Sequence, residues 1–428
     1  MSGSGVFLVE VKSRRNKSGL PELRLLSEAA GYTVLKEFHQ ARHSDSAFCL
    51  GRGRAEEIAE EARTYQPIKI IFNNRLKPIQ KYNLTKIFAA EVMDRFQLIL
   101  EIFTKRAGTV EAKYQIELAK LQYELPMARE NVKLARTGEL PGFHGLGKYQ
   151  VDVYTLMIKK RISYLKKQLE EISERKSRNR IQRKKEALFS IALSGYTFAG
   201  KTTLFNLLAK ETLPIGTSLF TTVSTTTRSV MISERKVLLS DTVGFIDNLP
   251  HLLVESFYST LDEVALADRV ILVLDASEPP AEFSRKLKTC ISTLTEIGVF
   301  SNSIIPILNK ADISQDIDNY VTIVDALLGA KPFKISAKTG EGVSELIDGI
   351  KAILPIYQLV RLKVPLSPSS SSLVSWAFDE ADVKWIKYDN NSVSLEVSIN
   401  PPFIANLKSL LTGVGGAEMT VIGPVDQQ

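Results

Sequence analysis

LSGYTFAGKTTLFNLL, Leu193–Leu208, is the stretch that decides the fold class. An apolar run, FSIALSGY, leads into it and a helical pattern follows, so Gly195, Gly200, Lys201 and Thr202 meet the G-x-x-x-x-G-K-[ST] pattern in the strand, loop and helix context that it requires. Glycines let the backbone curl so that consecutive N–H groups face an anion, and Phe198, Ala199, Gly200 and Thr203 join Gly195, Lys201 and Thr202 as candidate nucleotide-binding residues. Lys201 adds a point charge, and the Thr202 hydroxyl can bind Mg2+. Downstream, KVLLSDT, RVILVLDA and IIPILNK read as further buried parallel strands between helical patterns. The fold class expected is therefore α/β, with a P-loop domain over residues 187–357.

Three further segments specify the nucleotide. DTVG, Asp241–Gly244, stands 46 residues beyond Gly195 at a strand end, where the Asp241 carboxylate can hold Mg2+ through water and the Gly244 N–H can sense a terminal phosphate. NKAD, Asn309–Asp312, follows a strand in the same way. The Asp312 carboxylate accepts both donors of a guanine edge, N1–H and N2–H2, while the Lys310 stem covers the base; adenine offers no such pair and is rejected. SAK, formed by Ser336, Ala337 and Lys338, would close the base pocket. GTP and GDP with Mg2+ are thus the expected ligands, and GTP hydrolysis the expected reaction. Ras-type enzymes follow D-x-x-G with a glutamine that orients water, whereas Phe245 has no such group, so slow hydrolysis in isolation is expected. A threonine that completes the Mg2+ shell should lie in LFTTVSTTTR, Leu219–Arg228. A Phe-Thr-Thr pattern that resembles related GTPases favours Thr222, with Thr226 and Thr227 as alternatives.

Outward from this domain, residues 1–107 alternate β-rich runs (GVFLVEV, YTVLKEF, IKIIFNN) with helical ones (ELRLLSEAAG, RAEEIAEEARTY), which predicts a small N-terminal α/β domain. Residues 108–186 predict a long helical hairpin: one helix over Thr109–Arg136, bent or interrupted near Pro126, a glycine-rich loop at 137–148, and a second helix from about Val151. In the second helix Ile158, Ile162, Leu165, Leu169 and Ile172 share one seam. Its stretch Ile158–Lys185 holds 12 Lys or Arg against 3 Glu, while the chain as a whole carries +7. One basic element should therefore dominate any encounter with a polyanion. Lys159, Lys160, Arg161, Lys166, Lys167, Arg178 and Arg180 are the candidate RNA contacts. After Pro355, PLSPSSSS reads as a linker or long turn, and VKWIKYDNNSVSLEVSI as two strands around an Asp-Asn-Asn turn, giving a small C-terminal α/β domain over 358–428.

Other chemistry is disfavoured. Cys49 and Cys290, the two cysteines, are too few and too far apart for a disulfide framework or a zinc site, and His39, His43, His144 and His251 lack metal-ligand spacing. Gly51-Arg52-Gly53 has Glu56 where a dinucleotide fingerprint needs its third glycine, so a helix-start turn is expected there. There is no 18-residue apolar run and no signal-peptide pattern at the start, which makes the cytoplasm the expected location and membrane insertion unexpected.

The chain resembles the HflX family of ribosome-associated GTPases, in DTVGFI with a following Leu249-Pro250, in GRGRAEEI (Gly51–Ile58), in DRFQLILEIFTKRAGTVEAKYQIELAKLQYELP (Asp94–Pro126), and in a glycine-rich loop leading to a basic helix. The loop GFHGLGKYQVDVY is similar to the archaeal branch. The resemblance implies a monomer that binds the large ribosomal subunit and its rRNA, not DNA, and that splits or rescues stalled ribosomes under stress. A hibernation or subunit-assembly factor whose hydrolysis only controls release is the alternative. Two departures stand out: HGLGK, His144–Lys148, replaces the bacterial RGPGE, and Phe198 stands where relatives commonly carry an asparagine that supports potassium-stimulated hydrolysis.

Overall fold

The computed structural model describes residues 4–12, 18–136, 148–185, 189–211, 225–232, 235–246, 263–355, 357–366, 368–399 and 401–424. These fall into two compact units: one takes the chain up to Glu171 together with Thr225 and residues 242–246, the other takes the remainder from Ile172.

The first unit opens with β1 (Gly5–Lys12), α1 (Leu20–Ala29), β2 (Thr33–Ala41), α2 (Arg52–Tyr65), β3 (Lys69–Phe72), α3 (Pro78–Phe88), β4 (Glu91–Asp94) and α4 (Arg95–Arg106). The sheet runs β2-β1-β3-β4 and all its pairings are parallel. Because side chains alternate along a strand, β1 feeds two apolar layers. Val6 and Leu8 join Leu23, Ile99 and Phe103 on one side, while Phe7 and Val9 join Ile58, Ile70 and Leu84 on the other. Gly51 is the N-cap of α2, as the sequence suggested.

Next comes α5 (Val110–Arg136), whose Thr109 Oγ1 accepts from Ala112 N at 3.1 Å, a cap on its first turn. The helix continues through Pro126, so the expected interruption there is corrected: the proline removes one N–H from the ladder without ending it. Ile116, Ala119 and Tyr123 of α5 pack on α4, with the Phe96 and Tyr123 rings stacked at 4.5 Å. Tyr123 donates its hydroxyl to buried Asp94, which also caps α4 by accepting from Gln97 N at 3.1 Å. Burial, with the Asp94 carboxylate beside it, raises the Tyr123 phenol above its ordinary range.

Helix α6 (Lys148–Lys185) starts three residues before the expected Val151. Its seam holds: Ile158 and Leu165 are buried, and Ile162, Leu169 and Ile172 half-buried. Arg161 donates to both carboxylate oxygens of Glu117 in α5, at 2.7 and 2.9 Å, so the two helices lie side by side. The tip of the hairpin, 137–147, lies outside the described residues. Residues 242–246 also belong to this unit: Ile246 is 1 % exposed within the core of Phe96, Ile99 and Ile116, and Val243 packs against it.

In the second unit the order is β5 (Phe189–Gly195), α7 (Lys201–Ala209), β6 (Thr226–Ile232), β7 (Arg235–Asp241), β8 (Arg269–Asp275), α8 (Pro280–Glu296), β9 (Ile304–Asn309), α9 (Ile317–Leu328), β10 (Phe333–Lys334) and α10 (Val343–Ile353). The sheet runs β10-β9-β8-β5-β7-β6, parallel except for β6, which lies antiparallel to β7 at the edge. Ligands of such sheets bind beyond the carboxyl ends of the strands, where Gly195, Asp241, Asp275 and Asn309 stand.

The chain ends in β11 (Gln358–Pro365), α11 (Pro368–Glu380), β12 (Asp382–Tyr388), β13 (Ser392–Ile399), α12 (Pro401–Thr412) and β14 (Glu418–Pro424), an antiparallel sheet in the order β12-β13-β11-β14. Val360, Leu362, Leu395 and Val397 face Leu373, Ala377 and Leu407 of the two helices. The hairpin around Asp389-Asn390-Asn391 is as expected. The serine run is not a linker: Pro368 and the serines form the first turn of α11, where fixed proline φ and helix-start residues favour it.

Candidate functional site

At the carboxyl end of β5 the backbone must turn sharply between two strands. Gly195 does so at φ +142°, and a Cβ there would stand 2.3 Å from the Val273 carbonyl oxygen of β8. Gly200, at φ +94°, precedes α7; a Cβ on it would meet Asn309 Nδ2 at 2.2 Å. Phe198 also adopts the left-handed conformation, at φ +65°, which costs a side-chain-bearing residue on the order of 1 kcal/mol. Its side chain is exposed.

The loop delivers the first N–H groups of α7, which lack intrahelical partners, to one place. Lys201 is 7 % exposed and donates from Nζ to the carbonyls of Gly195 at 3.1 Å and Tyr196 at 3.0 Å. Burial lowers its pKa below the ordinary lysine value, and the nearby Asp241 charge opposes that shift in part. Thr202 Oγ1 donates to Asp241 Oδ2 at 2.9 Å, and Asp241 is fully buried at the end of β7. A hydroxyl and a carboxylate so placed are oxygen donors of the kind a small hard dication takes alongside water and phosphate oxygens. Thr203 follows, half-buried, on the same first turn of α7.

The base end is built on β9. Asn309 donates from Nδ2 to the Ala199 carbonyl at 2.7 Å, and its Oδ1 accepts from Ala337 N at 2.9 Å. One buried amide therefore spans the phosphate loop and the SAK loop. Ala311 N donates to Ile335 O at 3.0 Å, and Thr339 N donates to the buried Ser336 Oγ at 3.2 Å, which fixes that loop beside NKAD. Asp312 sits in a single turn of 3-10 helix, Ala311–Ile313, with its side chain exposed, and Lys338 is exposed as well.

The structure thus brings Gly195, Ala199, Gly200, Lys201, Thr202, Asp241, Asn309, Ser336 and Ala337 together through direct contacts or shared strand ends. Gly244 is buried, but it belongs to the first unit with Ile246. Thr222 lies outside the described residues. Among the basic residues of α6, Lys159, Lys160, Lys166, Lys167 and Arg178 are exposed, Arg161 is engaged by Glu117, and the Arg180 side chain is outside the description. Cys49 and Cys290 are both buried, and neither forms a disulfide. No group of three or more His, Cys, Asp or Glu that could hold a metal ion occurs among the described residues, and no described helix is long and apolar enough to cross a membrane.

Sequence reading missed Asp275. It ends β8 directly beside Asn309 of β9, takes the Lys310 ammonium on Oδ2, and accepts from Ser277 N and Oγ on Oδ1 at 2.9 and 2.6 Å. The signal was present in RVILVLDAS, a carboxylate at a strand's carboxyl end.

Comparison with known proteins places these features in a family. A model described as GTP-binding GTPase N-terminal matches residues 17–104, one described as GTP-binding GTPase Middle Region matches 106–183, and one described as 50S ribosome-binding GTPase matches 190–310. A protein named GTPase HflX from Thermococcus kodakarensis is 40% identical over 363 residues, covering 82% of each chain. Its namesake from Thermofilum pendens is 43% identical over 362 residues, which is 83% of this chain and 85% of that one. Among solved structures, a crystal structure of SsGBP in complex with GDP is similar with a TM-score of 0.51 and 29% identity, over 81% of this chain and 98% of that one.

Proposed function

Because the chain belongs to the HflX family of GTPases, and so binds guanine nucleotides and hydrolyses GTP, we propose that it binds the large ribosomal subunit in its GTP state, splits or rescues stalled ribosomes under stress, and leaves after hydrolysis. The observation that carries this reading is α6. Lys159, Lys160, Lys166, Lys167 and Arg178 all point away from the buried seam into solvent, on one helix whose basic excess exceeds that of the whole chain. A polyanion as large as rRNA is the partner that such a helix attracts over distance. Matching to a model described as a 50S ribosome-binding GTPase supports the same partner.

The roles assigned within the site come from the sequence motifs, and the contacts of Lys201, Thr202, Asp241 and Asn309 support them. The P-loop amides and Lys201 bind the phosphates; Thr202 and Asp241 would hold Mg2+, with Thr222 as the added ligand in the GTP state. That ion, when bound, neutralises charge on the terminal phosphate oxygens. Asp312 reads the guanine edge, and Ser336, Ala337 and Lys338 close the pocket. Phe245, buried at 3 % exposure, has no atom that can orient water after Gly244. Hydrolysis is therefore slow until a partner supplies or orders the missing group.

The test is GTP turnover with and without purified large subunits from the source organism, across a salt series. Stimulation of about tenfold or more at low salt is expected, with the logarithm of the effect falling by roughly 0.7–0.9 per phosphate contact for each logarithmic unit of salt. Lys159→Glu with Lys166→Glu should flatten that slope and leave the basal rate unchanged. No stimulation at any salt would end this reading. Sucrose-gradient profiles of whole ribosomes distinguish splitting from occupancy of free subunits.

A further inference from the structure

The side chain that covers a guanine base must be held in place, and Lys310 is an unusual residue to hold. Its backbone lies in the left-handed region at φ +63°, and its long aliphatic stem carries the full rotamer freedom of lysine. In this protein the ammonium is not left to solvent. It pairs with Asp275 Oδ2, whose side chain is only 11 % exposed. Asp275 is itself fixed: Oδ1 accepts from Ser277 N and Ser277 Oγ, and Ala276 N donates to Asn309 O at 2.9 Å, which locks the end of β8 to NKAD.

We propose that Asp275 is a positioning residue for the nucleotide: it anchors the Lys310 ammonium so that the lysine stem is already in place when the guanine base arrives. This rests on the reading of Lys310 and Asp312 as the base site. The ordering cost of the lysine is met within the folded protein, and it no longer weighs against binding. An acid that only closed the turn after β8 would need Ser277 but would have no use for Lys310.

GDP affinity of the full chain separates the two roles through Lys310→Met, Asp275→Asn and their combination. The asparagine keeps an acceptor for Ser277 and discards the charge that holds the lysine. Lys310→Met should weaken GDP by about tenfold, and Asp275→Asn by about fivefold with little change in melting temperature. The double variant should be no weaker than Lys310→Met alone, because Asp275 acts through that lysine. GDP affinity of Asp275→Asn within twofold of the parent, beside a weakened Lys310→Met, would overturn the proposal; so would two effects that multiply in the double variant. If Lys310→Met itself binds GDP like the parent, the base-site reading falls and this proposal with it. Should Asp275→Asn fail to fold, Ser277→Ala loosens the same carboxylate, and its loss of affinity must likewise vanish in the Lys310→Met background.

Discussion

Lys201→Met is expected to abolish nucleotide retention while making the nucleotide-free protein more stable. Both effects have one origin. Lys201 is a buried cation at the amino end of α7, held by two carbonyls of its own loop, where the helix dipole is positive and water is excluded. An incoming phosphate answers that charge; without the anion the ammonium is a burden. Methionine fills similar volume without charge. Loss of a charge-assisted contact to phosphate, worth roughly 1.5–3 kcal/mol alone and more in a dry site, should raise the Kd for GDP by at least about a hundredfold. The sign of the stability effect can be read from pH. Burial depresses the folded-state pKa of Lys201, so between that depressed value and the ordinary lysine value the unfolded chain binds more protons than the folded one. Stability of the parent therefore rises with pH across that window, having carried the full penalty below it. Melting curves of nucleotide-free protein as pH climbs toward about 10 should show the rise in the parent and its absence in Lys201→Met. A variant that melts lower than the parent at neutral pH would refute the account of a strained cation.

The second large effect is a change of base. Asp312→Asn should lower GTP affinity by about a thousandfold and create affinity for xanthosine triphosphate. A carboxylate can accept from guanine N1–H and N2–H2 together, whereas an amide offers one acceptor and one donor, which match the N1–H and the C2 carbonyl of xanthine. Sites that hydrogen-bond a substrate group discriminate by about 10^4 to 10^5 against an analogue that lacks it, because the protein group is then left unpaired. Competition between the two triphosphates for the variant measures the exchange. Retained preference for guanine would move base recognition away from Asp312.

Much of this molecule could be read before its structure. Gly195-x-x-x-x-Gly200-Lys201-Thr202 is legible because its chemistry is local: positive φ, consecutive amides and one helix start. The strands that carry Asp241 and Asn309 are legible because strands buried on both faces are continuously apolar. What escaped reading depends on partners distant in sequence. Nothing near Asp275 announces that the sheet sets it beside Asn309 and within reach of Lys310. Pro126 looked like a bend or a break because an interior proline usually is one or the other, and of the two the break is excluded, since α5 continues past it with Ile116, Ala119 and Tyr123 anchored on α4. The serines after Pro368 looked like a linker by composition, although the same residues start helices well. Arg161, counted with its basic neighbours, is paired with Glu117 of the preceding helix, a contact between residues too far apart in sequence to be read from spacing.

Asn309 has a consequence for how affinity is assembled. Its amide can satisfy Ala199 and Ala337 only when both loops are in register, so a guanosine fragment and a pyrophosphate fragment would not contribute independent free energies. Whichever half of the nucleotide settles first narrows the motion of the other half's loop, and the second half then binds at a reduced entropic cost. The intact nucleotide should accordingly be held far more tightly than its pieces suggest, much as a chelator outperforms separate ligands.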